Sequence, residues 1–295
     1  MALIAPKKGP RTTTHRVADV DVKDFCSAAD VKTRLIEVFR SPDYRPPLLP
    51  KVALELQQLV RQPKLEVREA VALLEQEPML AARLLQLAAS ALYGGRPVAS
   101  LETAIVRLGI QRVANLFLQA SLESKIFRAA AYGPTMAVLA RHCALVAEMA
   151  TRVNRLPPQP EDPSFMCGLL HDVGTAACLV SLAEVTRGKT PPPLEMVLPA
   201  VHEVHTAAGA HLAKMWKLPA EVCRVIEGHH ATMRALITSP MVAVVAVADF
   251  LIAQEGVSIE ATPSPPTDDV LLVARLDRSD LVRLRATAKE LVQCT

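Results

Sequence analysis

Between about residues 46 and 255 the apolar positions recur every three to four residues, and Leu, Ala and Val fill most of them. That spacing is the period of an α-helix. Kept over so long a stretch, it leaves little room for strands, whose side chains alternate every second residue. Aromatic residues make up 3% of the chain while hydrophobic residues make up 51%, so helix-forming aliphatic side chains must fill the core. At 295 residues the expectation is an all-α protein of one to two compact units.

The pattern divides the chain. Residues 1–40 read as a flexible extension: the first twenty are polar, with Lys7, Lys8, Arg11 and Arg16 and no period, and a short helix follows at about 27–40. After the Pro-rich stretch SPDYRPPLLP, Pro50 suits a first helical turn. Apolar stripes then run through Val52, Leu56, Leu59 and Val60, through Val67, Ala70, Val71 and Leu74, and through Leu80, Leu84, Leu87 and Ala91. Ser100 is placed to cap a helix that Gly109 stops, and a further helix spans about 111–127. Residues 41–130 are thus expected to form an N-terminal bundle of about five helices. A second helical block, 131–260, has expected helices at about 134–154, 164–184, 194–216, 219–227 and 240–254, broken by Pro-rich segments at 157–163 and 191–193. Residues 261–295 supply the linker ATPSPPTDD and an amphipathic helix at about 278–293, whose Leu281, Leu284 and Leu291 either cap the core or meet a partner.

Several function classes lose support at this stage. A net charge of +3 is too small to argue for nucleic acid or a membrane surface. The basic leader is all that favours nucleic acid, and the chain offers no run of aromatic residues for base stacking. The longest apolar run, residues 241–253, is too short to span a bilayer and carries Asp249, and MALIAPKKGPR lacks the apolar core of a secretion signal. Six cysteines without a C-x-x-C pair suit reduced thiols, so a cytoplasmic location is expected.

Chemistry concentrates in the second block, which holds seven of the eight histidines. In GLLHDVG, an apolar run (Phe165, Met166, Leu169, Leu170) ends by presenting His171 and Asp172 side by side. On a continuous helix these two would point about 100° apart and meet one cleft only at its lip. His142 shares a stripe with Val138, Leu145 and Met149. Asp249 is a lone charge among apolar residues, where a carboxylate must be paired, metal-bound or protonated. His205 lies in line with Gly209 and Leu212, and His229 and His230 follow a helix end, whereas His202 and His211 read as surface residues. Each position alone has an ordinary structural reading: a hydrogen-bonded core histidine, a wet helix terminus, a buried ion pair. Together, imidazoles and carboxylates are the ligand types of iron, manganese, zinc and similar cations.

The segments LLHDVGTA, VHEVHTAAGAHLAKMWKLPAEVCRVIEGHH and VAVVAVADFL, with LYGGRPVASLETAIVRLG upstream, resemble the HDOD family over about residues 40–260. The resemblance implies an N-terminal helical bundle packed on an HD-like helical core, related to HD phosphohydrolases and to their HD-GYP branch, which cleaves cyclic di-GMP. Carried over by position, it makes His142, His171, Asp172 and Asp249 metal ligands. His205, His229 and His230 match the additional ligands of the HD-GYP branch, with Asp172 bridging two ions. Two departures stand out: Thr175 occupies the position of the lysine that follows the HD pair in that branch, and the GYP segment is missing. Since HDOD modules occur largely in bacterial signalling proteins, the resemblance implies a signalling or scaffold protein that binds another signalling protein, with a pocket for one or two divalent transition metals or a nucleotide. The alternative is a metal-dependent phosphohydrolase or phosphodiesterase acting through His171 and Asp172, with Asp172 as the catalytic residue and the metals activating water for in-line attack on phosphorus.

Overall fold

The computed structural model describes residues 25–294 apart from 26, 50, 63, 155–161, 188, 231–238 and 260–262. The expected leader (1–20) and Pro50 lie outside the described residues, as does most of the Pro157–Pro163 break. Among the described residues every regular element is helical.

Five helices form the N-terminal bundle: α2 (Lys51–Leu59), α3 (Val67–Leu74), α4 (Pro78–Ala88), α5 (Leu101–Leu108) and α6 (Ile110–Lys125). Their limits follow local chemistry. Pro78 starts α4, and the Ser100 hydroxyl accepts the Thr103 N–H at 3.1 Å to cap α5. Gly109, at φ +81, adopts a backbone that side chains disfavour and so turns α5 into α6. The expected stripes are buried or half-buried except for Val67 and Ala91, which face solvent because they fall at the margins of α3 and of the 3-10 turn Ala91–Tyr93.

The HD-like core comprises α7 (Gly133–Val153), α8 (Ser164–Leu170), α9 (Val173–Val185), α10 (Leu194–Met215), α11 (Ala220–Gly228) and α12 (Pro240–Gln254). Helix α7 packs on α8 and α12, and α9 lies along α10. Two helices, α13 (Asp268–Val273) and α14 (Arg278–Gln293), close the chain, and α14 caps the core by packing on α12 and α7. Helix α13 was not anticipated; it is six residues long, and Thr267 caps its start by accepting the Val270 N–H. The short helix of the extension, α1 (Ala28–Arg40), docks on α10 and α9 and buries Val31, Leu35, Val38 and Phe39 there. One hydrophobic core runs through bundle, HD-like core and C-terminal helices.

Two polar ties add to the bundle–core junction. Trp216 donates its indole N–H to the Pro47 carbonyl at 3.0 Å. Glu148 of α7, almost wholly buried, accepts from Tyr93 (2.7 Å), Arg112 (2.8 Å) and Arg152 (2.9 Å). A buried carboxylate with this many charge-assisted partners is compensated, and removing one partner would be costly. The stretch Ser164–Val185 is long and apolar enough to cross a membrane, yet 94% of it is buried inside the protein and it is broken in its middle.

Candidate metal centre

The break falls on the HD pair itself. Helix α8 ends at Leu170, His171 keeps helical dihedrals, Asp172 departs to φ −102, ψ 18, and α9 restarts at Val173. The sequence period predicts one helix over 164–184; the interruption is a correction with a consequence. It turns both side chains toward one centre instead of splaying them, and His171 Nε2 lies 3.6 Å from Asp172 Oδ2. Around this corner α7 brings His142, α10 brings His205, the end of α11 brings His229 and His230, and α12 brings Asp249.

Two glycines set how closely these helices approach. A Cβ on Gly174 would sit 1.9 Å from the His205 carbonyl oxygen, and one on Gly209 would sit 2.6 Å from Ile226. Backbone therefore meets backbone where α9 crosses α10, and this is what brings His205 within reach of Asp172.

All seven expected ligands converge, in two groups. His142, His171 and Asp172 form one, and Asp172, His205, His229 and His230 the other; within each, one ligand atom per residue lies within 4.8 Å of the rest. Asp249 joins the first, with Oδ1 3.1 Å from His142 Nε2. His230 is exposed, and the other six residues are buried. The expected inward stripe on α7 holds for Leu145 and Met149, but Val138 faces solvent and Leu139 takes the buried position. His211 is a surface residue as expected. His202, also exposed, has its ring 5.6 Å from that of His230, so it stands at the mouth of the centre, a placement the sequence did not suggest. Thr175, in place of the HD-GYP lysine, is fully buried.

Proton placement makes the strongest case for a cation. Four rings direct Nδ1 at backbone carbonyls: His142 at Val257 (2.7 Å), His171 at Gly168 (2.7 Å), His205 at His202 (2.9 Å) and His229 at Val225 (3.2 Å). A carbonyl only accepts, so Nδ1 carries a proton, and whenever a ring is neutral its Nε2 lone pair turns inward. Those lone pairs face one another: His142 and His171 Nε2 are 3.3 Å apart, and His205 and His229 Nε2 are 3.4 Å apart. Asp172 Oδ1, 3.2 Å from His229 Nε2, accepts no well-directed hydrogen bond despite its burial. Converging lone pairs around an orphaned carboxylate oxygen are satisfied by a proton or by a metal ion. The donor set fits a divalent transition metal.

Without metal, protons fill part of this role. Burial would lower the pKa of His142, but the hydrogen bond and charge of Asp249 outweigh it and raise the value to about 8. Burial dominates at His171, which falls to about 4; at His230, whose ring is partly enclosed by those of His202, His205 and His229 although the residue reaches solvent, the same cause and the neighbouring His229 lower the value to about 3. Burial opposes ionisation of Asp172, yet the surrounding imidazoles hold its carboxyl well below the usual range. Asp249 is likewise lowered, with His142 overcoming the cost of burial.

An interrupted His-Asp corner in an all-helical protein, fed by histidines from three further helices and an aspartate from a fourth, has the HD-like architecture that the sequence resemblance implies. More narrowly, the chain belongs to the HDOD family, whose domain matches residues 47–232. It is similar to an HDOD domain protein from Geobacter sulfurreducens (23% identity, TM-score 0.59, covering 88% of this chain and 99% of that one). It is also similar to a protein from Shewanella amazonensis provisionally described as a metal-dependent phosphohydrolase (16%, TM-score 0.62, 90% and 98%). A third structure, provisionally described as a signal transduction protein, comes from Marinobacter aquaeolei (21%, TM-score 0.59, 93% and 66%). At these identities the likeness is one of fold. An uncharacterized protein of Treponema pallidum is 28% identical over 244 residues, which is 75% of this chain but only 43% of that protein's length.

Proposed function

We propose that this is a signalling protein whose HDOD module holds one or two divalent transition-metal ions, such as iron or manganese, and acts by binding a partner signalling protein. The observation that carries the metal is the set of four carbonyl-locked imidazoles whose Nε2 atoms point at one another around Asp172. His142, His171, Asp172 and Asp249 would hold an inner ion, and Asp172, His205, His229 and His230 an outer one. Bound metal would supply Lewis acidity and positive charge at this centre. The chain's own residues fix ligand orientation, keep water from all but the His230 side and, through the charges of Asp172 and Asp249, favour a dication.

Binding is preferred to turnover because the buried Thr175 stands where a lysine would hold a phosphate, and because among the described residues no ion pair at the centre involves Lys or Arg. One observation favours a second reading, a metal-dependent phosphohydrolase: Asp172 lies between the two ligand groups, as a bridging carboxylate would. A nucleotide over the His230 side is compatible with either reading.

Anaerobic purification with metal analysis of wild type and Asp172→Ala tests the centre. One or two ions per chain, absent from the variant, are expected. No uptake by either protein after incubation with Mn²⁺ and Fe²⁺ would sink the metal assignment. Hydrolysis of bis-p-nitrophenyl phosphate by the loaded protein, abolished by Asp172→Ala, would move the assignment to the hydrolase.

A further inference from the structure

Away from the metal centre, the bundle and the core leave a groove between α4, α6 and α7, bounded at one edge by Cys294 beyond α14. Its volume is about 720 Å³, within the range of sites that take small organic ligands. Leu116, Phe127 and Met136 wall it, and Ala137, Ala140 and Ala144, on one face of α7, give it a smooth floor. His142 projects from the far side of the same helix into the metal centre.

The charges in the groove are unequal. Both carboxylates lining it are already engaged: Glu123 accepts from Arg83 at 3.3 Å and from Gln119 at 2.9 Å, and Glu148 is held by Tyr93, Arg112 and Arg152. Three guanidinium groups line it, Arg83, Arg128 and Arg141, and Arg128 is exposed. Arg141 also donates to the Val292 carbonyl at 2.9 Å, which ties the groove edge to α14. An apolar floor beneath an excess of guanidinium complements a molecule with an apolar body and one negative head.

We infer that this groove is a binding site for a small amphipathic carboxylate, with its apolar chain along the alanine floor of α7 and its head group at the exposed Arg128. The site shares no residue with the metal centre. A cleft that reaches the buried Glu148 suits a free small molecule better than a flat membrane surface.

Calorimetric titration of the full chain with dodecanoate below its micellar concentration, and with dodecyltrimethylammonium, tests this. Saturable binding of one dodecanoate per chain is expected, with the cationic homologue about tenfold weaker or worse. Ala137→Trp, at an exposed position where folding is not threatened, should block the floor and abolish binding. Arg128→Glu should weaken dodecanoate about tenfold while leaving metal content unchanged. Equal binding of both head groups, binding unchanged by Ala137→Trp, or association only with phosphatidylglycerol vesicles and none with monomeric dodecanoate would overturn the inference. Asp172→Ala should still bind one dodecanoate per chain, so failure of the metal assignment would not be mistaken for failure of this one.

Discussion

The two ligand groups that share Asp172 are built differently. The inner one, His142, His171 and Asp249, is drawn from α7, the HD corner and α12, and all of it is buried. It carries a second carboxylate, and a proton on His142 already balances that charge. The outer one, His205, His229 and His230, has only the shared carboxylate, and it reaches solvent at His230. The inner group thus has more negative charge for a dication but must first give up a proton and open to admit it. The outer group is more accessible and more weakly charged. A single aspartate at a helix break makes one centre of two unequal halves.

The most disruptive way to break this arrangement is to separate its halves. Gly174→Ala places a methyl group against the His205 backbone, which cannot move aside as a flexible side chain can. We expect a loss of about 3 kcal/mol or more, seen as a Tm lower by roughly 10 °C, together with loss of metal uptake. A melting curve like that of wild type would show that α9 and α10 tolerate a wider crossing. Next, Asp249→Asn removes charge from the inner half alone; metal analysis should find the inner ion lost and the outer one kept. Equal loss from both halves would mean that they do not fill separately.

The proton on His142 offers a subtler contrast. Because Asp249 raises its pKa to about 8, the ring is largely protonated at pH 7, and ligation must release that proton. His230, lowered to about 3, is already neutral. Filling the inner half at pH 7 should therefore release about one proton from His142, declining toward none as pH rises beyond its pKa; calorimetry in two buffers of different ionisation heat measures it. Release that does not change between pH 7 and 9 would contradict this protonation state. Smallest of all, His230→Gln should weaken the outer ion by about tenfold while the inner is unaffected, as competition with a chelator would show.

Much of this was legible in the sequence because periodicity and burial report on each segment alone. The bundle, the HD-like core and the histidines and aspartates that cluster at its corner follow from stripes, from polar residues in apolar runs and from the family resemblance. The break at His171-Asp172 did not, since VGTAACLV continues the helical pattern and nothing local marks the interruption. Exposed Val138 and Val67 show the limit of a 100° wheel at the margin of a buried face. The Tyr93–Arg112–Glu148–Arg152 cluster was missed although its signal was present. Glu148 sits in CALVAEMA as Asp249 sits in VAVVAVADFL, a lone acid among apolar residues, but its partners are dispersed through the chain and only the fold assembles them.

Helix α7 has Ala137, Ala140 and Ala144 on one side and His142 on the other. A rigid rod between two chambers cannot be displaced in one without being displaced in the other. If filling the groove shifts α7 relative to α8, closure of the thermodynamic cycle obliges metal and carboxylate to alter each other's affinity by the same factor.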